Sequence, residues 1–259
     1  MKLETSDKDR DLGRRRPWLA LLCGLLLLAL APGALSDQPP APSGLAAVFP
    51  RSAAYDFEPP RPGSYALPVI KRSPEGRVVD HHGTVRRLGR ILEGRYSLVS
   101  FVYLLCGDEN GCPLALGTLF DIHETSAALP GLKSKVQLVT LSFDPARDTP
   151  EALASFAFPV LEDSEAADKL DWHFLTTRSL EELQPLLEGF GQVVDRSGDS
   201  ETLNHLLRLF LVDDRGRIRN VYGLGMIDPR LLMTDIETLL IEADLIEAGA
   251  TVPAAAPGQ

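Results

Sequence analysis

Apolar runs and turn signals alternate through the middle of this 259-residue chain. Residues 97–104 and 136–143 are apolar and partly β-branched, which is typical of buried strands. A third run, 206–212, is separated from residues 218–222 by Asp213-Asp214-Arg215-Gly216, and this pattern predicts a hairpin. His81-His82-Gly83 predicts another hairpin turn, nearer the start of the chain.

Helices are predicted between and after these strands. Their start signals are Pro113, Thr149-Pro150, the capping box of Ser179 with Glu182, and Asp228-Pro229. We expect the first helix to run to about Leu129, because Pro130 follows it. Strands alternating with helices, then a hairpin and a last helix, predict an α/β chain with a thioredoxin-like three-layer fold. In that fold a central mixed sheet carries helices on both faces.

The first 36 residues have the layout of an export signal. Arg14, Arg15 and Arg16 precede the apolar residues 17–35, and Ala34-Leu35-Ser36 offers a cleavage site. The segment is read as a signal peptide or an N-terminal membrane anchor, with its positive flank in the cytoplasm. We therefore expect the rest of the chain on the periplasmic side of the bacterial inner membrane, either anchored or secreted to the periplasm.

Composition divides the remainder into three parts. Residues 37–64 are rich in Pro and Ala and predict an extended linker. Residues 65–248 are predicted as the folded domain, and residues 249–259 as a disordered tail. The net charge of -10 argues against nucleic acid as a partner, because phosphate binding needs clustered Lys and Arg. The negative charge is compatible with a cationic protein or a metal ion as partner, but solubility alone explains it equally well.

Two cysteines directly follow the first buried run, where thioredoxin-like folds keep their thiol chemistry. Five residues separate Cys106 from Cys112, and His205 lies just before another apolar run. Thiolates with imidazole favour Cu(I). Cys112 precedes Pro113 at a predicted helix start, so we expect the helix dipole to favour its thiolate. The same two cysteines also allow a structural disulfide that closes the loop.

The other four histidines are expected to be structural or solvated rather than ligands. His81 and His82 fit a turn, and His173 has no nearby partner in sequence. His123 should lie about 16 Å along the helix from Cys112 at 1.5 Å per residue, too far to share its metal.

Several motifs together resemble the Sco (SenC) family of copper-handling proteins. Residues 140–150, Thr-Leu-Ser-Phe-Asp-Pro-Ala-Arg-Asp-Thr-Pro, are similar to the family's strand followed by Asp-Pro-x-x-Asp-Thr. Residues 171–176, Asp-Trp-His-Phe-Leu-Thr, resemble its Trp-x-x-Leu-Thr segment. Residues 83–95, and the spacing from His205 to Asp214-Arg215-Gly216, also match. The resemblance covers about residues 76–246.

The resemblance implies a metallochaperone that binds copper, as Cu(I) and/or Cu(II), on a thioredoxin-like fold. Its ligands, carried over to this sequence, would be Cys106, Cys112 and His205. The implied partner is a copper-receiving protein such as a cytochrome c oxidase subunit. One departure is visible: the family spaces its cysteines Cys-x-x-x-Cys, whereas five residues separate them here. The longer loop should cost more entropy to order around a metal.

Three other functions are considered from the same residues. In a thiol-disulfide oxidoreductase, Cys106 and Cys112 would be the redox pair, and His205 would not be needed. A thiol peroxidase is disfavoured, because residues 102–105 contain neither the Pro nor the Ser or Thr usual before its cysteine. A partner-binding fold with a structural disulfide is the third. Asp144 and Asp148 are either groups that support the metal ligands or turn and helix-start residues, and we favour the latter interpretation.

Overall fold

The computed structural model describes residues 44–52, 54–108, 110–163, 167–196 and 203–248, without the side chain of residue 204. All of them belong to one compact unit, residues 40–259. The predicted signal or anchor, residues 1–36, and the predicted tail, residues 249–259, lie outside the described residues. Within the described ranges, no helix combines the length and apolar character needed to cross a membrane.

A mixed sheet forms the centre of the domain. Its strands are β1 Lys71–Arg72, β2 Arg77–Asp80, β3 Val85–Arg87, β4 Tyr96–Val102, β5 Val136–Ser142, β6 Asp171–Thr176, β9 Arg208–Val212 and β10 Arg217–Gly223, and a separate ribbon pairs β7 Val194–Asp195 with β8 Asn204–His205. The strand order in the main sheet is β1-β10-β9-β4-β5-β6-β2-β3. Strands β4, β5 and β6 are parallel, and the remaining pairs are antiparallel.

Helices cover both faces of this sheet, which confirms the predicted α/β architecture. They are α1 Leu88–Leu92, α2 Cys112–Thr125, α3 Pro150–Leu161, α4 Leu180–Phe190 and α5 Pro229–Glu247. Because β4 lies between β5 and β9 under helices on both faces, all seven of its residues are buried. The same holds for β5, which explains why both strands read as apolar runs without alternation.

Three of the predicted helix starts are confirmed by capping contacts, and the start at Pro113 is confirmed by helix α2, which begins at Cys112. The side chains of Thr149, Ser179 and Asp228 accept hydrogen bonds from backbone N–H groups in the first turns of α3, α4 and α5. Helix α2 ends earlier than expected, at Thr125, and a 3-10 turn continues to Ala128. The Ser126 hydroxyl donates to the His123 carbonyl at 2.5 Å, and such local side-chain bonds compete with helix propagation.

The described part of the predicted linker packs against α5. Ala46 and Phe49 are buried, and residues 44–48 form a 3-10 helix. The Leu45 N–H donates to Glu237 at 2.7 Å, and the Tyr55 hydroxyl donates to the Ile227 carbonyl at 2.5 Å. Ala46 and Phe49 of this Pro- and Ala-rich segment are therefore buried on the domain, whereas Val48 remains exposed to solvent.

Candidate metal centre

Cys106, Cys112 and His205 come from three separate parts of the fold and meet at one point. Cys106 lies in the loop after β4, Cys112 begins α2, and His205 ends β8. One ligand atom from each residue lies within 4.8 Å of the others. Across the described ranges, this is the only group of three or more His, Cys, Asp or Glu residues close enough to hold a metal ion.

The two cysteines differ in accessibility. Cys112 is 1% exposed, whereas Cys106 is half-buried, and both thiols are free. A turn in which the Cys106 N–H donates to the Tyr103 carbonyl at 3.2 Å brings the loop back toward α2. The Gly111 N–H donates to the Asp108 carbonyl at 2.8 Å at the other end of the loop. The five-residue spacing thus still brings both sulfur atoms to one site.

The His205 ring is oriented by its backbone and by two aromatic rings. Its Nδ1 lies 3.1 Å from the Leu203 carbonyl, so Nδ1 carries the proton in the neutral ring and Nε2 keeps a free lone pair. Nε2 lies 3.5 Å from Cys112 Sγ. The ring centroid is 4.8 Å from that of Phe143 and 5.9 Å from that of Tyr103. The atom presented to the thiols is therefore the one able to bind a metal.

Burial controls the electrostatics of the Cys112 thiol. The helix start at Cys112 confirms the predicted position, and backbone N–H groups do lower the pKa of this thiol. Burial is the larger effect, however, and it raises the pKa of Cys112 well above the usual value. The helix start thus favours the thiolate, as expected, but burial outweighs this effect for the thiol by itself. A bound metal cation would supply the missing charge, since a coordinating thiol is deprotonated outright.

Asp148 supports the cysteine loop, which is the alternative that the sequence interpretation considered but did not favour. Its side chain is 2% exposed, and Oδ2 accepts hydrogen bonds from Leu104 N–H at 3.1 Å and from the Ser142 hydroxyl at 2.5 Å. The carboxylate thus links the end of β5 to the backbone two residues before Cys106. Asp144 forms an ion pair with Arg147 in the same turn. The Asp-Pro-x-x-Asp spacing is the sequence signal that points to this link.

The remaining histidines lie elsewhere. The rings of His81 and His82 are 4.0 Å apart beside the β2–β3 turn. His123 is buried, with its ring 5.7 Å from that of Trp172, and His173 Nε2 lies 3.2 Å from Gln137 Oε1. In the part of the chain that the structure describes, none of these four belongs to a group of His, Cys, Asp or Glu side chains close enough to hold a metal.

The donor set fits a soft metal better than a hard one. Two sulfur atoms and one imidazole nitrogen are ligands that favour copper or zinc, whereas magnesium and calcium prefer oxygen. Bonds of about 2.3 Å to sulfur and about 2.0 Å to nitrogen in a planar threefold arrangement need donors about 4 Å apart. The observed separations, up to 4.8 Å, require only a small inward movement of the loop.

Comparison with known proteins places these residues in a family context. The family model SCO1/SenC matches residues 74–241. A curated relative, the SCO1 protein homolog of Bacillus subtilis (strain 168), is 26% identical over 135 residues. That match spans 51% of this chain and 64% of the relative.

Solved structures share the fold at low sequence identity. BsSco, described as a member of the Sco family of cytochrome c oxidase assembly proteins with a disulfide switch, superposes with a TM-score of 0.53. It is 21% identical, over 68% of this chain and 97% of that chain. Arabidopsis thaliana ScoI with copper bound has a TM-score of 0.50 and 19% identity, over 68% and 98% of the two chains. The predicted thioredoxin-like fold is thereby confirmed.

Proposed function

Because the chain belongs to the SCO1/SenC family, we propose that it is an exported copper metallochaperone whose ligands are Cys106, Cys112 and His205. The observation that carries the proposal is the meeting of these three donor atoms within 4.8 Å. Copper is the cargo of this site. The copper-bound ScoI of Arabidopsis thaliana, which shares the fold, supports the choice of metal.

Binding would begin with the reduced thiols. Cys106 and Cys112 lose their protons and bind copper as thiolates, and Nε2 of His205 gives the third ligand. Three ligands leave the coordination sphere open to an incoming donor, so the metal can pass to another protein by stepwise ligand exchange. Oxidation of the two thiols to a disulfide transfers two electrons and two protons to an oxidising partner. The disulfide no longer offers the two thiolate ligands. The redox state would thus gate loading.

Location and partner are parts of the same proposal. The Arg-flanked apolar residues 17–35 support export to the periplasmic side, anchored or released. The oxidase-assembly family of BsSco supports a cytochrome c oxidase subunit as the receiving protein. We also propose residues 65–248 as the folded domain, behind a signal or anchor and a linker, part of which packs on α5.

Copper binding by the purified full chain tests the ligand set. The chain is reduced, kept anaerobic in mild detergent, and titrated with Cu(I) against a chromogenic chelator. We expect one copper ion per chain. The affinity should fall more than about 100-fold in each of Cys106→Ser, Cys112→Ser and His205→Ala, because even residues that only hydrogen-bond to metal ligands contribute about 10- to 100-fold to affinity. His82→Ala, at an exposed turn, is the matched control and should bind as the wild type. Undiminished binding by His205→Ala would contradict the proposal.

The second candidate is a thiol-disulfide oxidoreductase. Its support is the proximity of the two sulfur atoms and the disulfide switch of BsSco. The half-buried Cys106 would attack a partner disulfide, and the buried Cys112 would then resolve the mixed disulfide. The partner leaves as a dithiol, and this chain keeps the disulfide. Full reducing activity in His205→Ala, with no copper binding in the wild type, would favour this function over the first.

A further inference from the structure

Each of the three proposed ligands has an exposed apolar residue as its direct neighbour in the chain. Leu105 precedes the first cysteine and is 65% exposed, and Leu206 follows the histidine and is 56% exposed. Pro113 follows the second cysteine and is also exposed. We call these three residues the apolar border. Because ligand exchange brings the donor atoms of a receiving protein to the metal, that protein has to contact the apolar border.

A mostly apolar groove extends from the apolar border along one side of α2. Its volume is about 700 Å³, within the range of clefts that hold ligands. On the α2 side, lining residues recur every four positions, at Pro113, Gly117, Asp121 and Thr125, and the opposite wall includes linker residues 49–52 and 54–55. From residue 113 to residue 125 the helix rises about 18 Å, which accommodates about five residues of an extended chain.

The two walls of this groove are joined to each other. The Thr118 hydroxyl of α2 donates to the Ile227 carbonyl at 3.4 Å, and the Tyr55 hydroxyl of the linker wall donates to the same carbonyl at 2.5 Å. The buried Arg230 pairs with Glu58 at 3.1 Å, which fixes the linker just beyond the groove. A groove whose walls are already in place lowers the entropy cost of docking a partner.

The groove contains one unpaired charge. Arg51 pairs with Glu58 at 3.0 Å, so its positive charge is offset. Among the residues that the structure describes, the exposed carboxylate of Asp121 has no hydrogen-bond or ion-pair partner. The whole chain carries a net charge of -10, and opposite charges favour association across an interface. The occupant that matches the groove is therefore an apolar segment that places a Lys or Arg side chain opposite Asp121.

We propose that the groove along α2 and the apolar border together dock the copper-receiving protein, through an extended apolar segment with a basic side chain facing Asp121. This inference rests on the proposed function and names the surface that recognises the receiving protein. The groove begins at the residue directly after Cys112. A segment held there keeps the donor atoms of the partner beside the metal site during ligand exchange.

Two substitutions test the groove without changing a ligand. Gly117→Leu fills it, and the fold should tolerate the new side chain because a Cβ at Gly117 meets nothing within 4 Å. Asp121→Lys reverses the unpaired charge. Glu162→Lys is the matched control, because it makes the same change of charge at an exposed residue at the end of α3. The probe is the purified copper-binding domain of the proposed cytochrome c oxidase subunit, mixed with each full chain in mild detergent.

Two quantities are measured: the affinity of the metal-free chain for this domain, and the rate of Cu(I) transfer from the loaded chain. We expect both to fall at least about 10-fold in Gly117→Leu and Asp121→Lys, since electrostatic steering alone changes association rates by about 10-fold or more. The affinity of each variant for copper should remain that of the wild type. Glu162→Lys should behave as the wild type in all three measurements.

Wild-type docking and transfer in both groove variants would overturn the inference while leaving copper binding by the chain intact. A wild-type dimer that Gly117→Leu converts to a monomer in sedimentation would also overturn it, because a second copy of the chain would then occupy the groove. Absence of copper binding in the wild type would instead overturn the proposed function, and the inference with it.

Discussion

Asp148→Ala should destabilise the domain by removing an acceptor shared by two donors. The Leu104 N–H and the Ser142 hydroxyl both donate to Oδ2, at 3.1 and 2.5 Å, in an environment where Asp148 is 2% exposed. Each unsatisfied buried donor costs about 1–3 kcal/mol. Burial raises the pKa of Asp148, so removing the carboxylate also relieves some desolvation cost. We therefore expect the free energy of unfolding to fall by about 2 kcal/mol, which is the sum of the lower limits for the two donors.

The same substitution should also weaken copper binding. Leu104 lies two residues before Cys106, so releasing its N–H loosens the end of the cysteine loop that carries this ligand. Residues that orient metal ligands typically contribute 10- to 100-fold to affinity. We expect a reduction in that range, together with the loss of stability.

Urea denaturation and Cu(I) competition on the full chain measure the two effects. Asp80→Ala is the matched control, because Asp80 is also buried and its Oδ1 accepts from His82 N–H at 3.1 Å and Thr84 N–H at 2.9 Å. Asp80 belongs to β2, which is separated from β4 by β6 and β5. The control should lose comparable stability with unchanged copper affinity. Equal losses of affinity in both variants would refute a specific link from Asp148 to the cysteine loop.

Two further predictions concern stability away from the metal site. The pKa of Glu182 is lowered from 4.5 to about 2, chiefly by its hydrogen bond with Arg178. Ionised Glu182 therefore stabilises the fold above the unfolded pKa of 4.5, and this contribution is lost as the pH falls through about 2. In urea titrations between these pH values, Glu182→Gln should lose less stability on acidification than the wild type, by up to about 1 kcal/mol, the limit for solvent-exposed pairs. An unchanged pH profile would contradict this reasoning. In Gly189→Ala the new Cβ would lie 2.3 Å from Cβ of Pro74, and this overpacking should cost about 1–3 kcal/mol despite a gain of about 1 kcal/mol in helix propensity. Gly117→Ala, where nothing lies within 4 Å, is the control and should raise the denaturation midpoint; a rise in both variants would refute the clash at Gly189.

Local patterns predicted the elements well because their causes are local. The buried runs became β4 and β5, and the capping residues Thr149, Ser179 and Asp228 stand at the starts of their helices. Hydrogen bonds within a few residues determine such starts. The end of α2 was less predictable, because Ser126 also accepts from the distant Leu170 N–H at 3.0 Å.

The sequence by itself determined the fold class and the candidate donors: buried runs with alternating helices, a cysteine pair after a strand, and a histidine before another. Only the tertiary structure decided that His205 reaches Cys112 across 93 residues, because β9 pairs antiparallel with β4 and brings the segment before it to the site. It also decided that Asp148 holds Leu104 and that burial outweighs the helix dipole at Cys112. Those outcomes depend on strand pairing and burial between distant segments, which local periodicity does not encode.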